Sequence, residues 1–410
     1  ASDLMRTVLG FVAQGTGRPI IAKGNAGIPK YVDGHIHYDG TPDLMADYAV
    51  LARDCGATII GGCCGTTPEM IKEMHSYLQS VEPRPKRTAI EIGDGLPRID
   101  LPEARPRGER SRWGARLEDE FCISVELDAP RGLDAKHAVE GARLLAENGI
   151  QAVNIADGPR ATARMSALSL AMQVRAEVDI DVIVHYCCRD RNLMGMQMDL
   201  LGAHALGIRN ILCVTGDPPK MGNYPDATGV FDLDSVELTR AVGNLNRGLD
   251  FSGTPVGGQT DFVIGVGCNP GFTPLEKEVD KFQRKLKAGA EFAFSQPVYD
   301  VRLLDRFLEE VGAFTDVPVF VGILPLASAK NAEFLHNEVP GMQIPKAIRS
   351  RISTASTREE QRAEGVAIAA EALRHAKQHP QVQGAYVFPP FGRYSAVLDV
   401  LNKAANLGAV

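Results

Sequence analysis

The 410-residue chain has no apolar run approaching the roughly 18 residues of a membrane span, and its first residues carry no secretory signal pattern. No membrane partner is implied, and a cytoplasmic protein is expected. Positive charge is not in excess either: 44 Lys and Arg stand against 51 Asp and Glu, a net charge of −7. That balance provides no basic face for nucleic acid, and small-molecule chemistry fits it better. The first strand-like run of the larger segment is not followed by a Gly-x-Gly-x-x-Gly turn, which disfavours an open, doubly wound sheet. A disulfide framework is excluded as well. Eight cysteines would build one only in a short secreted chain, and Cys122, Cys187, Cys188, Cys213 and Cys268 sit inside apolar, strand-like runs as reduced core residues do. An initiator Met is lacking, and the opening residues read as the middle of a helix, so a first domain that starts further upstream is expected.

A chain of this length exceeds what one hydrophobic core usually supports, so two domains are expected. Residues 82–116 turn Pro- and Arg-rich ("EPRPKR", "LPEARPRGERSRWGAR") and lose periodicity, as a linker does. This divides the chain into residues 1–80, a linker over 81–117, and a larger segment over 118–410. In the larger segment one phrase repeats, a helix closing on Gly with a short apolar strand a few residues later: "AENGIQAVNIAD", "HALGIRNILCVTGD", "KAGAEFAFSQPV". The candidate strands are "FCISVEL", "AVNIAD", "VIVHYC", "NILCVTG", "FVIGVGC", "FAFSQPV", "PVFVGIL" and "GAYVFP", the eight of a (β/α)8 TIM barrel. The same punctuation in "RDCGATIIGGCCG" marks the first segment as part of another βα barrel. Capping boxes are expected at Thr273 with Glu276, where Pro274 would open the helix, and at Ser356 with Glu359.

In a barrel, polar residues at the C-terminal ends of strands line the active-site rim. Those ends present Glu126, Asp157, His185, Asp217, Asn269 and Gln296. Glu126 closes an apolar strand, where a low dielectric would raise its pKa and suit it to general acid catalysis; the alternative is an ion pair with Arg131. Asp217 follows Gly216, which permits close approach of backbone or ligand, or else it caps the turn at Pro218 and Pro219. His185 is either a satisfied core histidine or a ligand contact. Arg284 and Lys285 either meet phosphates or form a solvated helix face.

With "SVELDAPRG", "VTGDPP", "NPGFTPLE", "QRKLKAGAEFAFSQPVYD" and "VGILPLAS", the larger segment resembles the methylenetetrahydrofolate reductases, flavin-dependent barrels. The resemblance implies FAD as cofactor, NAD(P)H as co-substrate and reduction of 5,10-methylenetetrahydrofolate to 5-methyltetrahydrofolate. It implies that Glu126 protonates N10 of the folate, that Asp217 lies between flavin and pterin, and that Gln296 meets folate or nicotinamide. His185, Gly216, Arg284 and Lys285 fall at positions of flavin contact, and Asn331 at a substrate-side amide. The chain departs from the pattern at four further flavin positions. Thr215 replaces an Arg, Ala156 stands where a hydroxyl is common, and Asn269 and Thr273 replace a Tyr and a His.

The first segment resembles the end of a homocysteine S-methyltransferase barrel through "AKGNAGIP" and "GGCCGTTPE". Gly61, Gly62 and Gly65 free the backbone so that Cys63 and Cys64 can face one zinc, which would bind homocysteine as its thiolate. The family uses a third Cys that is not found at a suitable place here; Cys55 falls within a helix, and His35 and His37 fall in a loop. The expectation is therefore a fusion of the two enzymes acting in one-carbon metabolism and methionine synthesis, with weak zinc binding in this chain, and a homo-oligomer. Two other readings stay open, a zinc methyltransferase whose second barrel only binds folate, and a flavin- or folate-sensing module.

Overall fold

The computed structural model describes residues 19–27, 30–32, 35–81, 103–339 and 342–406, which belong to two compact units, residues 1–94 and 95–410. In the first unit, β1 (Ile21–Gly24) pairs in parallel with β4 (Ile59–Gly62). The helices Pro42–Asp54 and Pro68–Ser80 follow these strands. Each helix starts the same way. Thr41 and Thr67 accept from the backbone N–H of Leu44 and Met70, and a Pro fills the first turn, where a missing N–H costs nothing. Ala22, Met45, Ala49, Ala52, Met70 and Met74 form the buried apolar layer. Between β1 and the first of these helices, β2 (Lys30–Val32) and β3 (His35–His37) form a small antiparallel ladder. His35 and His37, expected in a loop, therefore lie on a short strand, and Cys55 sits at a helix C-terminus rather than inside it.

In the second unit eight parallel strands close into a barrel. They are β5 (Cys122–Leu127), β6 (Ala152–Ile155), β7 (Asp181–Cys187), β8 (Asn210–Val214), β9 (Val263–Cys268), β10 (Phe292–Pro297), β11 (Val319–Ile323) and β12 (Val382–Val387). All eight runs named from the sequence become strands, because a parallel strand covered on both faces must be apolar nearly throughout. Three helices rather than one, Ala329–Glu338, Lys346–Ser353 and Arg358–Lys377, fill the connection between β11 and β12. Among the described residues no helix is long and apolar enough to cross a membrane. The cysteines of the barrel are free thiols buried in its core.

The linker expected over 81–117 ends earlier than its composition suggests. Residues 107–117 are part of the barrel: short helices Arg107–Arg110 and Arg112–Arg116 bring the only Trp, Trp113, into the core with no exposed surface. Its ring lies 5.1 Å from Phe320 and 5.9 Å from Phe292. Buried Arg110 donates to the Phe262 carbonyl and pairs with Glu291. Gly114 is required at this closure, since a Cβ there would lie 2.3 Å from the Arg107 carbonyl oxygen. One-turn helices leave no period, which is why this segment resembles a linker in sequence.

Two capping expectations need correction. The helix after β9 is Leu275–Lys287, preceded by a cis Thr273–Pro274 bond and started with no side-chain cap, so Thr273 and Glu276 form no box. The second box forms one residue later than expected, Thr357 with Glu360. A third, unexpected box, Asp234 with Glu237, opens the helix Ser235–Asn246.

Candidate functional site

The C-terminal ends of the barrel strands surround a cavity of about 480 Å³, within the range of small-molecule sites. Glu126, Ala156, His185, Thr215, Gly216, Asp217, Asn269, Lys285 and Gln296 all line it. Thr273, Arg284 and Asn331 do not. Two of the three have local partners. Arg284 turns along its own helix to Asp280, 3.2 Å away, while the Asn331 carboxamide accepts from the Ala327 N–H at 3.1 Å.

Glu126, on β5, accepts a hydrogen bond from the hydroxyl of Tyr386 on β12. Arg131 is exposed and is not its partner. The accessible edge of Glu126 opens into the cavity. Burial pushes its pKa up to about 7; Asp128 adds to the rise, while the Tyr386 bond, Arg164 and Arg160 oppose it. A carboxyl with this midpoint can hold a proton near neutral pH and release it. Three strands round the barrel, just after β8, half-buried Asp217 accepts from the Arg160 N–H at 3.0 Å, and its carbonyl accepts from Arg189 at 3.3 Å. Its carboxylate is thus tied to the loop after β6, not to the Pro218 turn.

His185 is neutral, because burial lowers its pKa to about 3. Its Nε2 donates to the Asn154 side-chain oxygen at 3.3 Å, which leaves Nδ1 an acceptor. Thr215 serves the backbone, its hydroxyl accepting from the Ser235 N–H at 3.1 Å at the start of a helix. Asp157 is likewise occupied, accepting from the Cys187 N–H and pairing with Arg191 at 2.7 Å. Asn269 folds the loop after β9, accepting from the Gly271 N–H while its own N–H donates to buried Glu278. Gly216 has φ +90°, and a Cβ there would press on Cys187 at 3.1 Å, so the backbone runs at the cavity surface as only Gly allows.

Lys285 is buried and donates to the Gly267 carbonyl at 2.5 Å. Burial, then the charge of Lys281, lowers its pKa. Lys281 lines the same cavity, so two ammonium groups one helical turn apart face one space, and an anion between them would relieve their repulsion. Sequence reasoning missed Lys281 although its i,i+4 spacing from Lys285 marks the shared face. It also missed Tyr386 and Phe388, which share the inward parity of β12, and Arg189.

In the first unit Cys63 and Cys64 are exposed with their sulfurs 4.0 Å apart. Two corners of a tetrahedral zinc–thiolate site lie about 3.8 Å apart, so this spacing fits a shared metal. The turn is pinned by Asn25, whose side chain accepts from the Cys64 N–H at 3.1 Å, and by Gly65 at φ +76°. Among the described residues no group of three His, Cys, Asp or Glu side chains assembles around a common point.

Residues 112–389 match the family model for methylenetetrahydrofolate reductase, and residues 2–78 that for homocysteine S-methyltransferase. Methylenetetrahydrofolate reductase 1 of Schizosaccharomyces pombe is 25% identical over 178 residues, 42% of this chain and 27% of the relative. The 5,10-methylenetetrahydrofolate reductase of Pectobacterium carotovorum subsp. carotovorum is 24% identical over 225 residues, 53% of this chain and 69% of the relative. Methylenetetrahydrofolate reductase 2 of Saccharomyces cerevisiae is 26% identical over 198 residues, 46% of this chain and 31% of the relative. The chain thus spans about a third or less of the two yeast proteins and about two thirds of the bacterial one. Among solved structures, an uncharacterized Clostridium thermocellum protein that binds two copies of 5-methyl-5,6,7,8-tetrahydrofolic acid has a TM-score of 0.51 at 13% identity. The match covers 72% of this chain and 99% of that one, and shows the fold.

Proposed function

The chain belongs to the methylenetetrahydrofolate reductase family, and from that premise we propose that its barrel reduces 5,10-methylenetetrahydrofolate to 5-methyltetrahydrofolate with FAD and NAD(P)H. The observation that carries the reading is the pairing, in one cavity, of a carboxyl that holds a proton near neutrality, Glu126, with a second carboxylate, Asp217.

The cavity residues fit a flavin diphosphate. Lys281 and Lys285 face a common space, and Gly216 exposes its backbone there. In this reading Lys285 and Lys281, not Arg284, meet the diphosphate. FAD held by these residues would supply the hydride for the methylene carbon and draw its electrons from NAD(P)H. Glu126 gives its proton to N10 of the folate as the bond between N10 and the methylene carbon breaks, its electron pair staying on N10. The folate is left as a cationic iminium, and Asp217 stabilises that charge in a site with little water. Gln296 lines the cavity, and in the same reading it touches folate or nicotinamide.

For the first unit the same reading assigns Cys63 and Cys64 to a zinc that binds homocysteine as a thiolate, its third protein ligand lying outside the described residues. A homo-oligomer is part of the reading, and sedimentation of the intact chain tests it. The central experiment is spectroscopic. Purified protein should show a flavin spectrum that NADH or NADPH bleaches and methylenetetrahydrofolate restores. Flavin that bleaches but is not restored by the folate would point to a sensing module, and protein that never binds flavin would overturn the assignment of reductase.

A further inference from the structure

Glu126 has one hydrogen-bond donor among the described residues, and nothing in the chemistry above requires it. Tyr386 lies in register with Ser124 on the neighbouring strand, while Glu126 stands two residues further along that strand, nearer the cavity mouth. The tyrosine ring is 4% exposed and gripped by Phe388 at 4.2 Å, Phe294 at 4.9 Å and the edge of His185 at 6.0 Å. Its hydroxyl therefore has little freedom, and it bonds Oε2 of Glu126. Ser124 and Asn154 also point into the barrel on the strands that carry or flank Glu126. The Ser124 hydroxyl and the Asn154 amide nitrogen have no partner, so neither serves the carboxyl.

We propose that Tyr386 is a positioning residue for proton transfer: its hydroxyl fixes one oxygen of Glu126, leaves the other facing the folate, and holds the carboxylate that remains once the proton has gone. This rests on the reductase reading. The proton moves from Glu126 to N10 as the N10–carbon bond breaks, and Tyr386 keeps its own proton throughout. Burial and the neighbouring charge of Glu126 raise the phenol's pKa well above its usual value, so it stays a donor. The bond strengthens as its acceptor becomes charged, so it stabilises the developing carboxylate more than the starting acid. The other titratable groups near the carboxyl are Asp128, Arg160 and Arg164 from the loops after β5 and β6, neutral His185 on β7, and Tyr394 after β12.

Tyr386→Phe removes one oxygen and keeps the ring in its aromatic grip. Losing one charge-assisted hydrogen bond should raise the Glu126 midpoint by about one to two units. Infrared difference titration of the folate-free protein reads this directly, with the protonated-carboxyl band assigned by its loss in Glu126→Gln. Replacing Tyr386 by a difluorinated tyrosine, a stronger donor of nearly the same shape, should move the midpoint down. In stopped flow, folate-driven reoxidation of the reduced flavin should slow about tenfold in Tyr386→Phe. The pH at which it declines should rise, while reduction by nicotinamide is unchanged. Equal infrared midpoints in all three proteins would overturn the proposal, as would an unmoved pH limb. A wild-type flavin that the folate never reoxidises would instead defeat the reductase reading, and the infrared shift would still decide whether Tyr386 holds Glu126.

Discussion

The raised midpoint of Glu126 makes the stability of the barrel depend on pH in a calculable way. In the unfolded chain the carboxyl titrates near 4.5, and in the folded barrel near 7. Below pH 4.5 it is neutral in both states and costs nothing; between the two values the unfolded chain ionises first, so stability falls as pH rises, and above 7 the full cost is present. A difference of 2.5 units corresponds to about 3.4 kcal/mol, of which about 2.5 kcal/mol falls between pH 5 and pH 8. Because one edge of the carboxyl meets the open cavity, screening reduces this to about 2 kcal/mol. Glu126→Gln keeps the shape and an acceptor for Tyr386 but cannot ionise. The variant should therefore gain about 2 kcal/mol over wild type on going from pH 5 to pH 8. Urea titrations followed by Trp113 fluorescence read it, since this residue is the only Trp and is fully buried in the barrel core, and so reports on that unit alone. A wild-type-to-variant difference that is the same at both pH values would mean that Glu126 is ionised in the folded protein throughout. The general-acid assignment would fall with it.

Other consequences are open to simpler tests. Asp217→Asn should raise the reduction potential of bound flavin and slow folate turnover by about 10²-fold, a loss typical of electrostatic groups; unchanged potential and turnover would reduce Asp217 to the anchor for Arg160. Paired replacement of Lys281 and Lys285 by Ala should release flavin on a desalting column, whereas Arg284→Ala should retain it, and the reverse order would restore the arginine to the site. Zinc added to this chain should be removed by mild chelation, because two thiolates alone hold it weakly; stoichiometric metal surviving chelation would reveal a further ligand.

The sequence by itself determined the architecture of the barrel and most of the polar residues at its rim. Eight apolar runs separated by Gly-closed helices specify a parallel barrel, because burial on both faces leaves a strand no other composition. Strand direction then sends Glu126, Asp217 and Gln296 to one end. Local pattern also located Cys63 and Cys64, whose flanking glycines let both sulfurs turn to one side. Tertiary structure alone decided which of two adjacent cations enters the cavity: a 100° step around the helix puts Lys285 inside and leaves Arg284 with Asp280. It decided that Tyr386, distant in sequence, meets Glu126, since closing the barrel makes the eighth strand the neighbour of the first. It also decided that Trp113 belongs to the core, because its short helices have no period of their own and gain their place only from the aromatic residues they cover. Periodicity records which face of an element is buried; what a side chain meets there depends on the elements that close over it.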